Sequence, residues 1–173
     1  MLLRIVGSIL VITACILYAY QQGRGYQRYV AALQDIYQIV LILKGEISYT
    51  QAPLGEVFHT LANRITKPYQ TWFRGMESEV QYKSGTEFAV IWRRGVEEEL
   101  KELNLKTGHK ELLAELGNYL GQLDLKTGIG SMELFLERLK LEIEKERAEL
   151  IIKKRLCNCL GVMVGLFLVI LFM

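Results

Sequence analysis

Two stretches free of charged residues, Ile5 to Gly23 and Leu156 to Met173, bracket a middle in which apolar residues recur every three or four positions. A helix needs about 20 apolar residues to cross the hydrocarbon core of a bilayer. The pattern therefore predicts transmembrane helices over 2–23 and 156–173, with a soluble domain over 24–155 between them. Lys153, Lys154 and Arg155 stand directly before the second run as a basic stop. A cleaved signal peptide is the rival reading of the first run, but no small-x-small cleavage site ends it. Ile12-Thr13-Ala14-Cys15 has the residue types that precede an acylated cysteine. Against a lipid anchor, Ile16 to Tyr20 continues the apolar run where a polar tether would begin.

In the middle, Tyr29, Leu33, Ile36, Tyr37, Val40, Leu43 and Ile47 form the stripe of an amphipathic helix. Pro53 then suits the first turn of a second helix, where its missing donor has no intrahelical partner. Leu54, Val57, Phe58, Leu61 and Ile65 carry that stripe, and Lys67-Pro68 ends it. Tyr69, Trp72, Phe73, Met76 and Val80 make a third. After the break at Lys83 to Thr86, with Thr86 as N-cap, Phe88, Trp92, Val96, Leu100 and Leu103 make a fourth. Leu112, Leu113, Leu116, Leu120 and Leu123 make a fifth, closed by the stretch from Asp124 to Gly130.

From Ser131 no glycine or proline occurs until Gly161, so the last soluble helix is expected to run without a break into the C-terminal span. Met132, Leu136, Leu139, Ile143 and Leu150 face one way, and Glu149 pairs with Lys145 and Lys153 at i,i+4 spacing. No strand-like alternation of any length occurs. The fold class is all-α: an antiparallel helical bundle between an N-terminal and a C-terminal transmembrane helix.

Composition narrows the function classes. A net charge of +2 over 173 residues gives no nucleic-acid signal. The run Glu97-Glu98-Glu99 reads as a solvated helix face. Cys15, Cys157 and Cys159 all fall in the apolar runs, so neither a disulfide framework nor a metal site is implied. His59 and His109 have no partner at metal-ligand spacing and read as ordinary surface residues. Lys-Thr-Gly occurs at Lys106 and again at Lys126, but the Ser-x-x-Lys that accompanies it in penicillin-binding enzymes is absent. No phosphate-cradling loop is present. The reading is of a protein that is not an enzyme, with no catalytic residue, cofactor or metal.

The positive signals concern packing and topology. Gly161 and Gly165 form a GxxxG step in the second apolar run, and Asn158 offers a polar group that seeks a partner in lipid. Gly117 and Gly121 repeat that step in the fifth soluble helix, where glycine costs about 1 kcal/mol against alanine and tight packing is a natural compensation. Lys153, Lys154 and Arg155 on the domain side place the soluble domain in the cytoplasm by the positive-inside rule.

The blocks GEISYTQAPLGEVF and LGNYLGQLD, followed by the charged stalk into LCNCLGVMVGLFLVILFM, resemble the stage III sporulation protein AB family over nearly the whole chain. That family looks related to the F-type inner-membrane platform proteins of type II secretion and type IV pilus systems. The resemblance implies a noncatalytic scaffold in the secretion-like channel complex between mother cell and forespore, in the mother-cell-side outer forespore membrane. It also implies a secretion-type ATPase, stage III sporulation protein AA, as partner, along with other membrane components of the channel, and it is compatible with homo-oligomers. Pro53, Gly117, Gly121 and Asp124 carry over as pattern positions with a structural role. Relatives often have Gln where Gly128 stands, which puts the start of the long last helix in question. A membrane-anchored helical sensor or signalling module is the alternative, and it requires a ligand pocket between helices.

Overall fold

The computed structural model describes the backbone of residues 2–50, 52–81, 87–121 and 125–172. Side chains are described over 24–50, 52–80, 87–121 and 128–153, and at Gly7, Thr13, Arg155, Leu156, Cys159, Met163 and Phe167. The described residues form six α-helices and no strand: α1 (Leu2–Thr50), α2 (Leu54–Ala62), α3 (Tyr69–Gln81), α4 (Phe88–Glu98), α5 (Thr107–Leu120) and α6 (Leu125–Phe172), with a 3-10 turn at Lys101–Leu103.

Residues 32–142 make one compact unit, and residues 1–31 with 143–173 make a second. In the first unit α2 packs on α3, α4 on α5, and α3 on α4. The three-and-four spacing on each helix buries one face: Leu33, Ile36, Val40 and Leu43 on α1, Val57, Phe58 and Leu61 on α2, and Tyr69, Trp72, Phe73 and Met76 on α3. Met132, Leu136 and Leu139 do the same on α6. Side-chain ties also link helices of this unit. Lys44 Nζ of α1 lies 2.6 Å from Glu133 of α6, His59 of α2 lies 2.8 Å from Glu77 of α3, and Arg94 of α4 pairs with Glu79 of α3. Half-exposed pairs of this kind contribute little energy. Burial of the apolar faces, at about 25 cal/mol per Å², supplies the larger share of the stability.

In the second unit, Lys153 pairs with Glu149 at 3.1 Å, and its Nζ also stands 4.7 Å from the centre of the Tyr26 ring. Ile151, Ile152, Leu156, Met163 and Phe167 of α6 are exposed. Among the described residues no helix is long and apolar enough to cross a membrane. Most side chains of 2–23 and 156–173, where the spans are expected, lie outside the described ones.

Three boundaries differ from the sequence expectation. The fourth helix ends at Glu98 instead of continuing to Leu103, because the chain reverses to bury Leu100 completely and then turns through Asn104 at φ 48°. Asparagine tolerates that left-handed conformation. The last helix begins at Leu125 instead of Ser131. Gly128 and Gly130 lower helix propensity by about 1 kcal/mol each without forbidding the helix. Pro53 sits at the N-cap of α2, one position before the first turn, and its carbonyl accepts the amides of Glu56 and Val57 at 2.9 and 3.2 Å. Thr86, expected as an N-cap, and Asp124 lie outside the described residues.

Candidate functional site

The densest part of the first unit is an aromatic cluster assembled from α2, α3 and α4. Phe58, Trp72, Phe73 and Trp92 are fully buried, and the Trp72 and Trp92 rings meet at 4.7 Å between centroids. Phe88 stacks on Phe58 at 6.1 Å and a 13° interplanar angle. Such pairs are worth about 0.5–1.5 kcal/mol beyond their area burial. The Trp92 indole N–H donates to the Leu113 carbonyl at 2.8 Å, which fixes the ring against α5.

Two glycines let the helices approach these rings. A Cβ added at Gly117 would lie 2.5 Å from Trp92 Cγ and 2.7 Å from Trp92 Cβ. One added at Gly95 would lie 2.5 Å from Trp72 Nε1. Real side chains do not approach so closely, so α5 rests with its backbone on Trp92, and Gly95 of α4 leaves room for Trp72. Gly121 extends the same seam, since a Cβ there would meet Phe88 Cβ at 3.2 Å. Among the described residues the buried Trp72 N–H meets no hydrogen-bond acceptor, an arrangement that costs of order 1–3 kcal/mol.

His109 and Tyr69 are buried within the first unit. His109, expected at the surface, is buried on α5 with Nε2 3.6 Å from Glu142 of α6. Sequence spacing missed it because the acidic partner arrives from a helix distant in the chain. His59, also expected to stand alone, gains Glu77 in the same way. Tyr69 is buried and its hydroxyl donates to the Ala32 carbonyl at 3.2 Å. Burial, and secondarily the Asp35 carboxylate, push its phenol well above the ordinary value of 10.0. Burial raises Asp35 as well.

The linkage sign follows from that raised phenol. The unfolded chain ionises Tyr69 near pH 10 and the folded chain holds it neutral, so its contribution is complete below pH 10 and is lost as the pH climbs toward the raised folded value. The urea midpoint of the wild type is therefore expected to fall more steeply than that of Tyr69→Phe between about pH 9 and about pH 11. Parallel curves would contradict the assignment.

Between α5 and α6 lies a shallow groove lined by Leu112, Leu116, Tyr119, Leu134, Phe135 and Arg138, with Glu115 4.0 Å from Arg138 at its rim. Its volume of about 20 Å³ is room for roughly one water molecule. Among the described residues no group of three or more His, Cys, Asp or Glu could hold a metal ion.

Of the residues singled out in the sequence, the structure brings Gly117 and Gly121 to the aromatic seam and places Pro53 at the start of α2. Asn158, Gly161 and Gly165 lie within α6, but their packing is outside the described residues. Sequence reasoning missed Gly95. Its signal was a glycine one turn from Trp92 and Ile91 on an otherwise strong amphipathic face.

What these features define is an all-helical bundle protein whose organising centre is a close-packed aromatic seam. The chain belongs to the stage III sporulation protein AB family, whose model matches residues 4–173. A solved structure of a stage III sporulation protein AB shares its fold, with a TM-score of 0.56 at 23% identity over 73% of this chain and 94% of that one. No curated protein matches. The family assigns the chain to sporulation.

Proposed function

We propose that the chain is a noncatalytic membrane platform of the secretion-like channel complex joining mother cell and forespore. Its terminal apolar runs anchor it in the mother-cell-side outer forespore membrane, and its helical bundle faces the cytoplasm. There the bundle couples a secretion-type ATPase, stage III sporulation protein AA, to membrane components of the channel. The observation that carries the anchoring is the row Ile151, Ile152, Leu156, Met163 and Phe167, large apolar side chains left exposed on α6. Exposed apolar surface of that extent is rare on a soluble monomer and suits lipid. A bundle centred on interlocked rings and glycine seats is close-packed, which suits a scaffold that must transmit force or hold a partner.

Two experiments test the two halves. Alkaline carbonate extraction of membranes from sporulating cells is expected to leave the chain in the pellet; release into the supernatant contradicts the anchoring. Co-purification from those membranes in mild detergent is expected to bring down the ATPase with the wild type and to lose it with Gly117→Leu, which disrupts the seam. An intact chain that brings down no ATPase contradicts the coupling.

A further inference from the structure

We infer that the outward face of α1 between Gln34 and Tyr49 is a seam on which a second copy of this chain packs, parallel to the first and in the same membrane. The inference rests on the anchoring proposed above and goes beyond it, because an anchored scaffold needs no copy of itself. The inward face of α1 buries Leu33, Ile36, Val40, Leu43 and Ile47. On the opposite face Gln38, Leu41, Ile42, Gly45, Ser48 and Tyr49 are exposed, Leu41 at 42% and Tyr49 at 94%. Gln34, Gln38, Leu41, Gly45 and Ser48 recur at alternating steps of four and three, which is the seam spacing of a two-stranded coil. Ile42 and Tyr49 flank that seam with large apolar side chains.

The charge pattern points to a copy as the occupant. In a parallel pair related by a two-fold axis, each seam residue meets its own counterpart, so any charge there would face a like charge. None of the seam residues is charged. Lys44 and Glu46, on either side of Gly45 in the chain, are drawn into the bundle: Lys44 donates to Glu133 at 2.6 Å and Glu46 accepts from Arg64 at 2.6 Å. Asp35 is exposed at a flanking position, outside the seam. The Ser48 hydroxyl donates to the Lys44 carbonyl at 2.7 Å and needs no outside partner. An acidic or basic partner would find no answering charge along this face. Gly45 stands at its middle, and a Cβ added there would meet nothing within 4 Å, so unlike Gly117 it seats no ring of its own chain. Glycine weakens an exposed helix, and close approach of a second backbone is the compensation that its bare surface allows. The seam is about 24 Å long and about 10 Å wide, well short of the roughly 800 Å² per partner of a stable complex in solution. Anchoring in one membrane holds two copies parallel and raises their effective concentration, which lets a contact of that size suffice.

The test uses the full chain, with Cys15, Cys157 and Cys159 changed to alanine, reconstituted into phospholipid vesicles at low surface density. Single substitutions Leu41→Cys or Gly45→Cys probe the seam, and Val90→Cys, at an exposed apolar position on α4, is the control. Mild oxidation and non-reducing electrophoresis then read the covalent dimer. Both seam variants are expected to exceed V90C by about tenfold or more. Adding Q38K to the L41C chain sets like charges opposite each other and is expected to abolish the dimer while leaving helical circular dichroism unchanged. Seam dimer no greater than that of V90C overturns the inference, and so does a dimer that survives Q38K. L41C that is shielded from a maleimide in membranes of sporulating cells, yet forms no dimer in vesicles, gives the face to a different protein and overturns the second copy. The carbonate extraction separates the two readings: a chain that stays in the membrane but forms no seam dimer sinks the seam alone, whereas a chain released by carbonate sinks the anchoring and the parallel pairing with it.

Discussion

Trp92→Ala is expected to cost the bundle about 3–5 kcal/mol, the range for deleting a buried large aromatic side chain. Trp92 is fully buried, touches Phe58, Trp72, Phe73 and Phe88, and is hydrogen-bonded to Leu113. Its loss opens a cavity where α2, α3, α4 and α5 converge, and three helices' worth of rings lose a neighbour at once. Native domains hold only about 5–15 kcal/mol in total, so the variant should sit near the edge of folding. Urea unfolding followed by circular dichroism at the helical band reads the change. Trp92→Phe keeps most of the ring and removes the N–H donor alone, so its cost should stay near 1 kcal/mol beyond the lost volume. A Trp92→Ala variant with an unchanged midpoint would mean that the seam does not hold the bundle together.

Gly117→Ala is the second large effect, and its direction opposes helix propensity. In an open helix the substitution would stabilise by about 1 kcal/mol. Here the new methyl would stand 2.5 Å from Trp92 Cγ and 2.7 Å from Trp92 Cβ, atoms at the root of the side chain that cannot swing aside without moving α4. Overpacking of this kind costs about 1–3 kcal/mol, and with the ring also pinned by the Leu113 carbonyl the upper end is expected. A net loss of about 2 kcal/mol corresponds to a drop of roughly 4–8 °C in Tm for a chain of this size. Placed in a Trp92→Ala background, Gly117→Ala should cost less, since Cγ and the ring are gone; the two changes are in contact and should not add. Additive costs would indicate that the glycine is needed for some reason other than the ring above it.

The stripes were legible because each soluble helix buries one face and exposes the other. Tyr69, Trp72, Phe73 and Met76 were placed on a single face by spacing alone, and the structure buries all four. The acidic run Glu97 to Glu99 lies exposed, as its charge density required. Gly117 and Gly121 could be marked as a close approach from their spacing on a helix, but the side chains they meet, Trp92 and Phe88, are fixed by the α4–α5 pairing, which local pattern does not encode. His109 was misread for a related reason. A histidine next to Lys110 and Glu111 looks like surface, and only the arrival of α6 with Glu142 makes it interior. The start of α6, in question from the sequence, lies at Leu125: Gly128 and Gly130 weaken a helix by propensity, yet helix continuity is decided over many residues. The return of the chain after Glu98 was likewise invisible, since Leu100 and Leu103 continue the apolar spacing while the backbone leaves the helix.

The measurement that bears most directly on the platform role is vesicle flotation with purified components. Vesicles carrying the full chain are mixed with purified stage III sporulation protein AA and centrifuged through a density gradient. The platform account predicts that the ATPase floats with vesicles bearing the wild-type chain and stays at the bottom with empty vesicles or with vesicles bearing Gly117→Leu. An ATPase that remains at the bottom in the presence of the folded, membrane-embedded wild-type chain would contradict it.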